Sequence, residues 1–192
     1  MGQYYKPVSV EKREHVYSHA FGNGLKLMEH SWLSNDFVGV VEDLIAEGGS
    51  WNGDKIVWAG DYADEEKNRK TNLYELCKTE IKPEVTENKY RFVLNTDTKQ
   101  YVDKTKIPVS DVYTDDDGKD WPYTIHPLPV LTCEGNGRGG GDLHKESDLV
   151  GAWARNRVTV ANEIPEGYTE LDFQLFEGPE PVTLKEGTVV TF

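Results

Sequence analysis

Long apolar runs are absent from this sequence of 192 residues. A helix that crosses a bilayer needs about 20 consecutive apolar residues, and no stretch approaches that length. The opening residues 1–6 lack the apolar core of a secretory signal peptide, and Lys6 stands where an N-myristoylation motif requires Ser or Thr. We therefore expect no membrane partner and a cytoplasmic location.

Cysteine is also scarce, since the chain has only Cys77 and Cys133 and no C-x-x-C motif. A zinc site made of cysteines alone is therefore excluded. The histidines form no His-Glu-x-x-His motif, and no Gly-x-Ser-x-Gly nucleophile elbow is present. We predict no metal site and no cofactor, and we expect both cysteines to behave as small buried apolar residues.

Basic residues are fewer than acidic ones. The chain has 21 Lys and Arg but 34 Asp and Glu, which gives a net charge of -13. A chain of this charge repels phosphate backbones, so we expect no nucleic-acid partner. The densest acidic segment lies beside an Asp-Gly turn signal and contains Asp115, Asp116, Asp117 and Asp120. It is either a solvated hairpin tip or a surface that binds a basic protein by electrostatic complementarity.

Aromatic residues make up 11% of the chain, which indicates a folded protein rather than a disordered one. We interpret residues 1–192 as a single globular domain. Short segments rich in β-branched and aromatic residues predict strands. These segments are 4–10, 15–19, 55–59, 89–95, 100–103, 109–114, 121–125, 153–160, 171–176 and 188–192.

Two helices are predicted. The clearer one covers about 34–47, with Ser34 or Asn35 as its cap and apolar residues recurring at helical spacing. A short helix over about 72–78 begins at Asn72. Because the longer helix has one apolar stripe, it must pack on another element. The sequence thus predicts an α+β fold, in which this helix packs on a mainly antiparallel sheet.

The most unusual stretch is 135–141, where five of seven residues are glycine. Ordering so many glycines costs backbone entropy, and one reason to do so is the close approach of backbone N–H groups to an anion. The alternative is a flexible surface loop. In the first interpretation, Arg138 adds a bidentate contact, and the backbone donors to the ligand are Gly137, Gly139 and Gly140.

Two other stretches carry polar groups among apolar neighbours. In 22–32, Lys26 could add positive charge, and His30 could act as a general base or lie hydrogen-bonded in the core. In 58–64, Asp61 and Asp64 follow an apolar strand, where they could serve catalysis, hold a divalent cation through their oxygens or cap the next element. The other catalytic candidates are Glu134, Asp142 and His144, and the candidates for stacking on a ligand are Trp32, Trp58 and Tyr62.

Four phrases of the sequence, MGQYYKP, GNGLKLMEHSW, VWAGDYAD and LTCEGNGRGGGD, resemble a family of small proteins found in phages, other mobile elements and bacteria. The likeness covers most of the chain. It implies an accessory protein of viral origin that works in the host cytoplasm, and it supplies no catalytic residue.

The leading hypothesis is a protein that binds an anionic small molecule through the glycine-rich loop. A nucleotide is one candidate, and a phage protein of this kind could sequester a nucleotide immune signal. The second hypothesis is a hydrolase acting on a nucleotide-like ligand, with His30 or His144 as the base. The third is an acidic inhibitor of a basic host protein. The sequence does not decide whether the protein is an enzyme.

Overall fold

The computed structural model describes residues 1–114, 118–144 and 147–175 and has an α+β fold. Its strands are β1 (Tyr5–Ser9), β2 (Glu14–His15), β3 (Lys55–Gly60), β4 (Thr79–Glu80), β5 (Phe92–Asn95), β6 (Gln100–Asp103), β7 (Asp111–Thr114), β8 (Asp120–Tyr123), β9 (Cys133–Glu134), β10 (Asn156–Ala161) and β11 (Thr169–Glu170). Its helices are α1 (Asp36–Ile45), α2 (Leu73–Leu76) and α3 (Pro127–Thr132).

Within the described ranges, nine strands form one mixed and mainly antiparallel sheet. Its order is β11-β6-β5-β10-β3-β1-β2-β4, and β9 pairs with β3. The hairpin of β7 and β8 forms a separate two-stranded sheet. Three pairs are parallel, namely β11 with β6, β2 with β4, and β3 with β9. The predicted fold class is therefore confirmed.

Helix α1 confirms the longer predicted helix and is two residues shorter at each end. Asn35 is its cap, because the side-chain oxygen accepts hydrogen bonds from the backbone N–H groups of Phe37 (2.9 Å) and Val38 (3.3 Å). The apolar face of α1 packs on β10. The hydroxyl of Thr159 in β10 donates to the carbonyl of Ile45 at 2.8 Å and so ties the end of the helix to the sheet.

The short predicted helix is also confirmed, as α2 with Asn72 at its cap. Helix α3 was missed by the sequence analysis. All six of its residues are buried, so it has no polar face and no helical periodicity to detect. Its start is set by His126, whose ring accepts from the N–H of Leu128, and by Pro127 in the first turn.

Some strand predictions were wrong. Of the segment 15–19, only His15 is in a strand, and a 3-10 turn over Ser18–Phe21 follows, closed by Gly22 in the left-handed region at φ 71°. Residues 171–175 form no strand, and the short β11 precedes them. The predicted strand 188–192 and the aspartates at 115–117 lie outside the described residues.

The two faces of the sheet bury different clusters. Ile56 and Trp58 face the main core with α1 and α3, whereas Val57 and Ala59 face a smaller cluster beside α2. This alternation is the period-2 pattern of a strand buried on both faces. Both cysteines are buried, as predicted. Among the described helices, none has the length and apolar character needed to span a membrane.

Candidate ligand-binding site

The phrases that stood out in the sequence meet at one end of β1 and β3. Tyr5 donates its backbone N–H to Leu25 at 2.8 Å, and Gln3 donates to Gly140 at 3.1 Å. Met28 donates its N–H to the carbonyl of Gly141 at 3.1 Å. We call residues 1–5, 24–30, 58–64 and 134–142 the glycine-loop cluster. The structure thus brings together segments that are distant in sequence.

Within this cluster, the glycine-rich loop does bind a carboxylate, but the carboxylate is that of Asp142. Its Oδ2 accepts from the N–H groups of Gly137 (2.7 Å), Arg138 (2.9 Å) and Gly139 (3.0 Å). Its Oδ1 accepts from the buried hydroxyl of Tyr5 at 2.9 Å. The backbone donors that we predicted to hold a ligand are therefore already used by the protein itself, and Asp142 is a structural anion here.

The glycines of this loop are required by close packing. A Cβ at Gly139 would lie 2.5 Å from the Cβ of Gln3 and 2.8 Å from its backbone N, and a Cβ at Gly141 would overlap the side chain of Lys26. Gly140, the third predicted donor, gives its N–H to the carbonyl of Met1 at 3.0 Å. The loop is thus built to hold the N-terminal segment rather than to move freely.

The charged candidates beside the loop are paired with one another. Arg138 binds Asp64 through two hydrogen bonds of 2.7 and 2.9 Å, and these bonds lower the pKa of Asp64. A third bond runs from Arg138 to the carbonyl of Tyr62 at 2.9 Å. Asp61 accepts from the N–H of Tyr4 at 3.0 Å, so its carboxylate holds the N-terminal segment instead of capping the element that follows.

Glu134 and Lys26 are paired as well. Glu134 shares the guanidinium of Arg155 with Glu66, and these two carboxylates raise the pKa of Arg155. Lys26 forms an ion pair with Glu29 at 2.9 Å. Each of these two side chains therefore already has a partner of opposite charge within the protein.

His30 is not placed to act as a general base, because both of its ring nitrogens are engaged inside the core. Nδ1 lies 3.0 Å from the carbonyl of Gly24, and Nε2 lies 2.9 Å from the indole Nε1 of Trp58. Burial lowers the pKa of His30 to about 4. Trp58 is fully buried and cannot stack on a ligand.

The last two candidates lie apart from these pairs. Trp32 is partly buried, with its ring centroid 6.1 Å from that of Tyr123. His144 is exposed on the surface beside an open depression lined by Gly137 and Ser147. Within the described ranges, no hydrogen bond or ion pair joins His144 to another catalytic candidate.

A cavity that the sequence analysis missed lies between α1 and the segment 85–91. Its volume is about 350 Å³, and we call it the α1 cavity. Gly39 of α1 and the cap residue Asn35 are on its wall, together with Asn162, which follows β10. The other lining residues are Leu33, Ser34, Asp36, Val40, Glu42, Val85, Thr86, Asn88, Lys89, Tyr90, Arg91, Lys104, Thr105 and His126.

A buried ionic network borders this cavity. Oε1 of Glu42 lies 2.5 Å from Nζ of Lys104 and 3.1 Å from Nε2 of His126. The other ring nitrogen of His126 accepts from the N–H of Leu128 at 3.1 Å, so the ring proton is on Nε2 and points at Glu42. Neutral His126 therefore holds the Glu42 carboxylate in position, and that carboxylate binds the Lys104 ammonium.

The protonation states of the network follow from its geometry. Burial raises the pKa of Glu42, but the interactions with His126 and Lys104 outweigh it, so the pKa lies below its ordinary value. Burial lowers the pKa of His126, and Glu42 opposes that change only in part. At neutral pH the network therefore holds an ionised Glu42 beside a neutral His126.

Local charge at the α1 cavity differs from that of the whole chain. Three cations line it, Lys89, Arg91 and Lys104, against the carboxylates of Asp36 and Glu42, whereas the chain as a whole carries -13. Asp43 and Asp103 also bind residues of the cavity wall, so the cations there are matched by nearby carboxylates.

Asp43 of α1 attaches the segment 85–91, which closes the α1 cavity, to the helix. Asp43 accepts hydrogen bonds from the hydroxyl of Thr86 (2.6 Å), the amide of Asn88 (2.9 Å) and the hydroxyl of Tyr90 (3.0 Å). The segment has no regular secondary structure until β5 begins. These three bonds therefore fix the outer wall of the cavity.

One signal in the sequence could have indicated this site. Val38, Val41 and Ile45 lie on one stripe of α1, and Glu42 occupies the stripe position next to Val41. A carboxylate on the buried side of a helix needs a partner. Those partners, Lys104 and His126, are far away in sequence and could not be identified without the fold.

The fold and the cavity define an α+β protein with a pocket lined by both apolar and charged side chains. Comparisons of the chain with models of known families, with curated proteins and with solved structures find no match. The resemblance to phage and mobile-element proteins therefore stays a prediction. Across the ranges that the structure describes, no group of three or more His, Cys, Asp or Glu is placed to hold a metal ion.

Proposed function

We propose that this protein binds a small anionic molecule in the α1 cavity and that Lys104 holds the anionic group. The observation that carries the proposal is the ion pair of Lys104 with buried Glu42 at the wall of that cavity. Removing two charges from water is costly, and a buried ion pair is seldom a net source of stability. A binding role accounts for retaining the pair at the cavity.

Lys104 has donors to spare for a ligand. An ammonium group has three N–H donors, and among the described residues Glu42 is its one hydrogen-bond acceptor. Its side chain is 13% exposed, enough to be reached from the cavity. Lys89 and Arg91 at the same cavity add positive charge, although Arg91 is also paired with Asp103 at 2.7 Å.

Binding is favoured over turnover by the state of the network. His126 uses one ring nitrogen as an acceptor and the other as a donor, so it has no free position from which to remove a proton. The proposal keeps the anionic ligand expected from the sequence and places it at α1 instead of the glycine-rich loop. A nucleotide is one candidate, and sequestration of a nucleotide signal in a phage-infected host is a corresponding biological role.

Calorimetric titration tests the proposal. The probes are adenosine 5′-monophosphate, ribose 5-phosphate, benzoate and inorganic phosphate. We expect wild-type protein to bind at least one of them, and Lys104→Met to weaken that binding about tenfold or more, as expected for the loss of a charged contact.

Lys106→Met is the matched control. Lys106 lies in the same short turn, pairs with Glu170 at 2.7 Å and does not line the α1 cavity. The Lys106→Met variant loses the same single charge as Lys104→Met, but away from the cavity. We therefore expect its affinity for the probe to stay within about twofold of wild type. Failure of all four probes to bind, or equal loss in both variants, would contradict the proposal.

A further inference from the structure

Helix α1 contains a glycine that no packing contact explains. Gly39 lies in the middle of the helix, and its N–H donates to the carbonyl of Asn35 at 2.9 Å as in a regular helix. A Cβ at this position would meet no described atom within 4 Å. Glycine is a poor helix former, and here its lack of a side chain keeps part of the α1 cavity open.

The open position is close to the ionic network. Glu42 follows Gly39 by three residues, so the two share a helix face and are separated by about 4.5 Å along the axis. Asp36 precedes Gly39 by three residues and lies at the other end of the same face. The cavity therefore has the ion pair of Lys104 and Glu42 at one end of this face, bare backbone in the middle and the carboxylate of Asp36 at the other end.

Apolar groups border the middle of the cavity. Leu33 and Val40 lie on its wall, as Gly39 does, and Tyr90 lines it from the segment 85–91. A wall that combines bare backbone with apolar side chains suits a planar ring, because a ring gains contact over its whole face. A carboxylate at the far end suits a ring that carries N–H donors.

We infer that the α1 cavity selects a planar, nitrogen-bearing ring attached to an anionic group, an inference that rests on the proposed function. Gly39 determines this selectivity. The ring lies on the helix backbone at Gly39, the anionic group binds Lys104, and an N–H donor of the ring faces Asp36. An anion without a ring binds only through Lys104 and its neighbours.

The experiment compares wild type with Gly39→Ala and Gly39→Leu, using adenosine 5′-monophosphate and ribose 5-phosphate as probes. We expect Gly39→Ala to raise the midpoint of thermal unfolding by about 2 °C, because alanine favours the helix and its methyl group enters open space. It should weaken binding of the nucleotide about tenfold. Gly39→Leu should abolish it, and ribose 5-phosphate should change less than about twofold with Gly39→Ala.

The outcomes separate this inference from the proposed function. Nucleotide binding that is sensitive to Lys104→Met but unchanged in both Gly39 variants would overturn the role of Gly39 and leave the anion site standing. Equal wild-type affinity for both probes would overturn the selection of a ring, and so would failure of the nucleotide to bind. A lower unfolding midpoint for Gly39→Ala would show that the space at Gly39 is not open and would overturn the inference too.

Discussion

The indole N–H of Trp58 donates to Nε2 of His30 across 2.9 Å, and this bond joins the centre of the sheet to the 22–32 segment. Because Nε2 accepts, the ring proton is on Nδ1, which donates to the carbonyl of Gly24 at 3.0 Å. His30 is fully buried in this arrangement. Protonation would place a second proton on Nε2, facing another donor, so the folded state requires neutral His30.

The first prediction concerns stability at acidic pH. The pKa of His30 is lowered by burial from 6.5 to about 4 in the folded state. Between these values the unfolded chain binds a proton that the folded chain does not, so the stabilisation is complete above pH 6.5 and is lost as pH falls toward 4. From pH 7.5 to pH 5, we expect His30 to account for a loss of about 2 kcal/mol in the free energy of unfolding.

Urea unfolding of wild type and His30→Gln at the two pH values measures this contribution. Glutamine can accept from Trp58 and donate to Gly24 without titrating. His15 and His126, whose pKa values burial also lowers, are present in both proteins. Their contributions therefore cancel in the comparison. Identical pH dependence in the two proteins would show that His30 is not the titrating group.

The second prediction uses two neighbouring glycines of the loop. A Cβ at Gly139 would press on the backbone of Gln3, whereas a Cβ at Gly140 would have its nearest atoms at 3.7 Å, an ordinary contact. Gly139→Ala should therefore cost about 1–3 kcal/mol of stability, as other overpacked sites do. Gly140→Ala should change stability by less than about 0.5 kcal/mol. Chemical denaturation measures both, and equal effects would contradict close packing as the reason for Gly139.

The third prediction concerns the outer wall of the α1 cavity. Asp43→Ala removes the acceptor shared by Thr86, Asn88 and Tyr90. We expect faster amide hydrogen exchange in the segment 85–91, because its attachment to α1 is lost. The pKa of Tyr90, which burial raises to about 12 with a further contribution from Asp43, should also fall.

Asp97→Ala is the control for this variant, because Asp97 also accepts hydrogen bonds but lies in the turn after β5 and binds Arg157. Hydrogen exchange in 85–91 should match wild type in that control. Unchanged exchange in Asp43→Ala would mean that other contacts hold the segment.

Several elements could be predicted from the sequence because their signals are local. The apolar stripe and the Asn35 cap define α1, and the short turn at 96–99 joins the two predicted strands β5 and β6 as an antiparallel hairpin. Helix α3 could not be predicted, since it is buried on every side and carries no periodicity. Its neighbours in space, not its own pattern, decide its conformation.

The candidate site shows the same division. The sequence by itself determined that 135–141 must adopt an unusual backbone and that its N–H groups suit an anion, because both follow from glycine's lack of a side chain. Only the tertiary structure decided which anion these N–H groups bind. Asp142 is part of the same chain, so it binds them without the loss of translational entropy that a free ligand would incur. The tertiary structure also brought Lys104 and His126 to Glu42, because burying a carboxylate on α1 requires partners from wherever the chain returns to that helix.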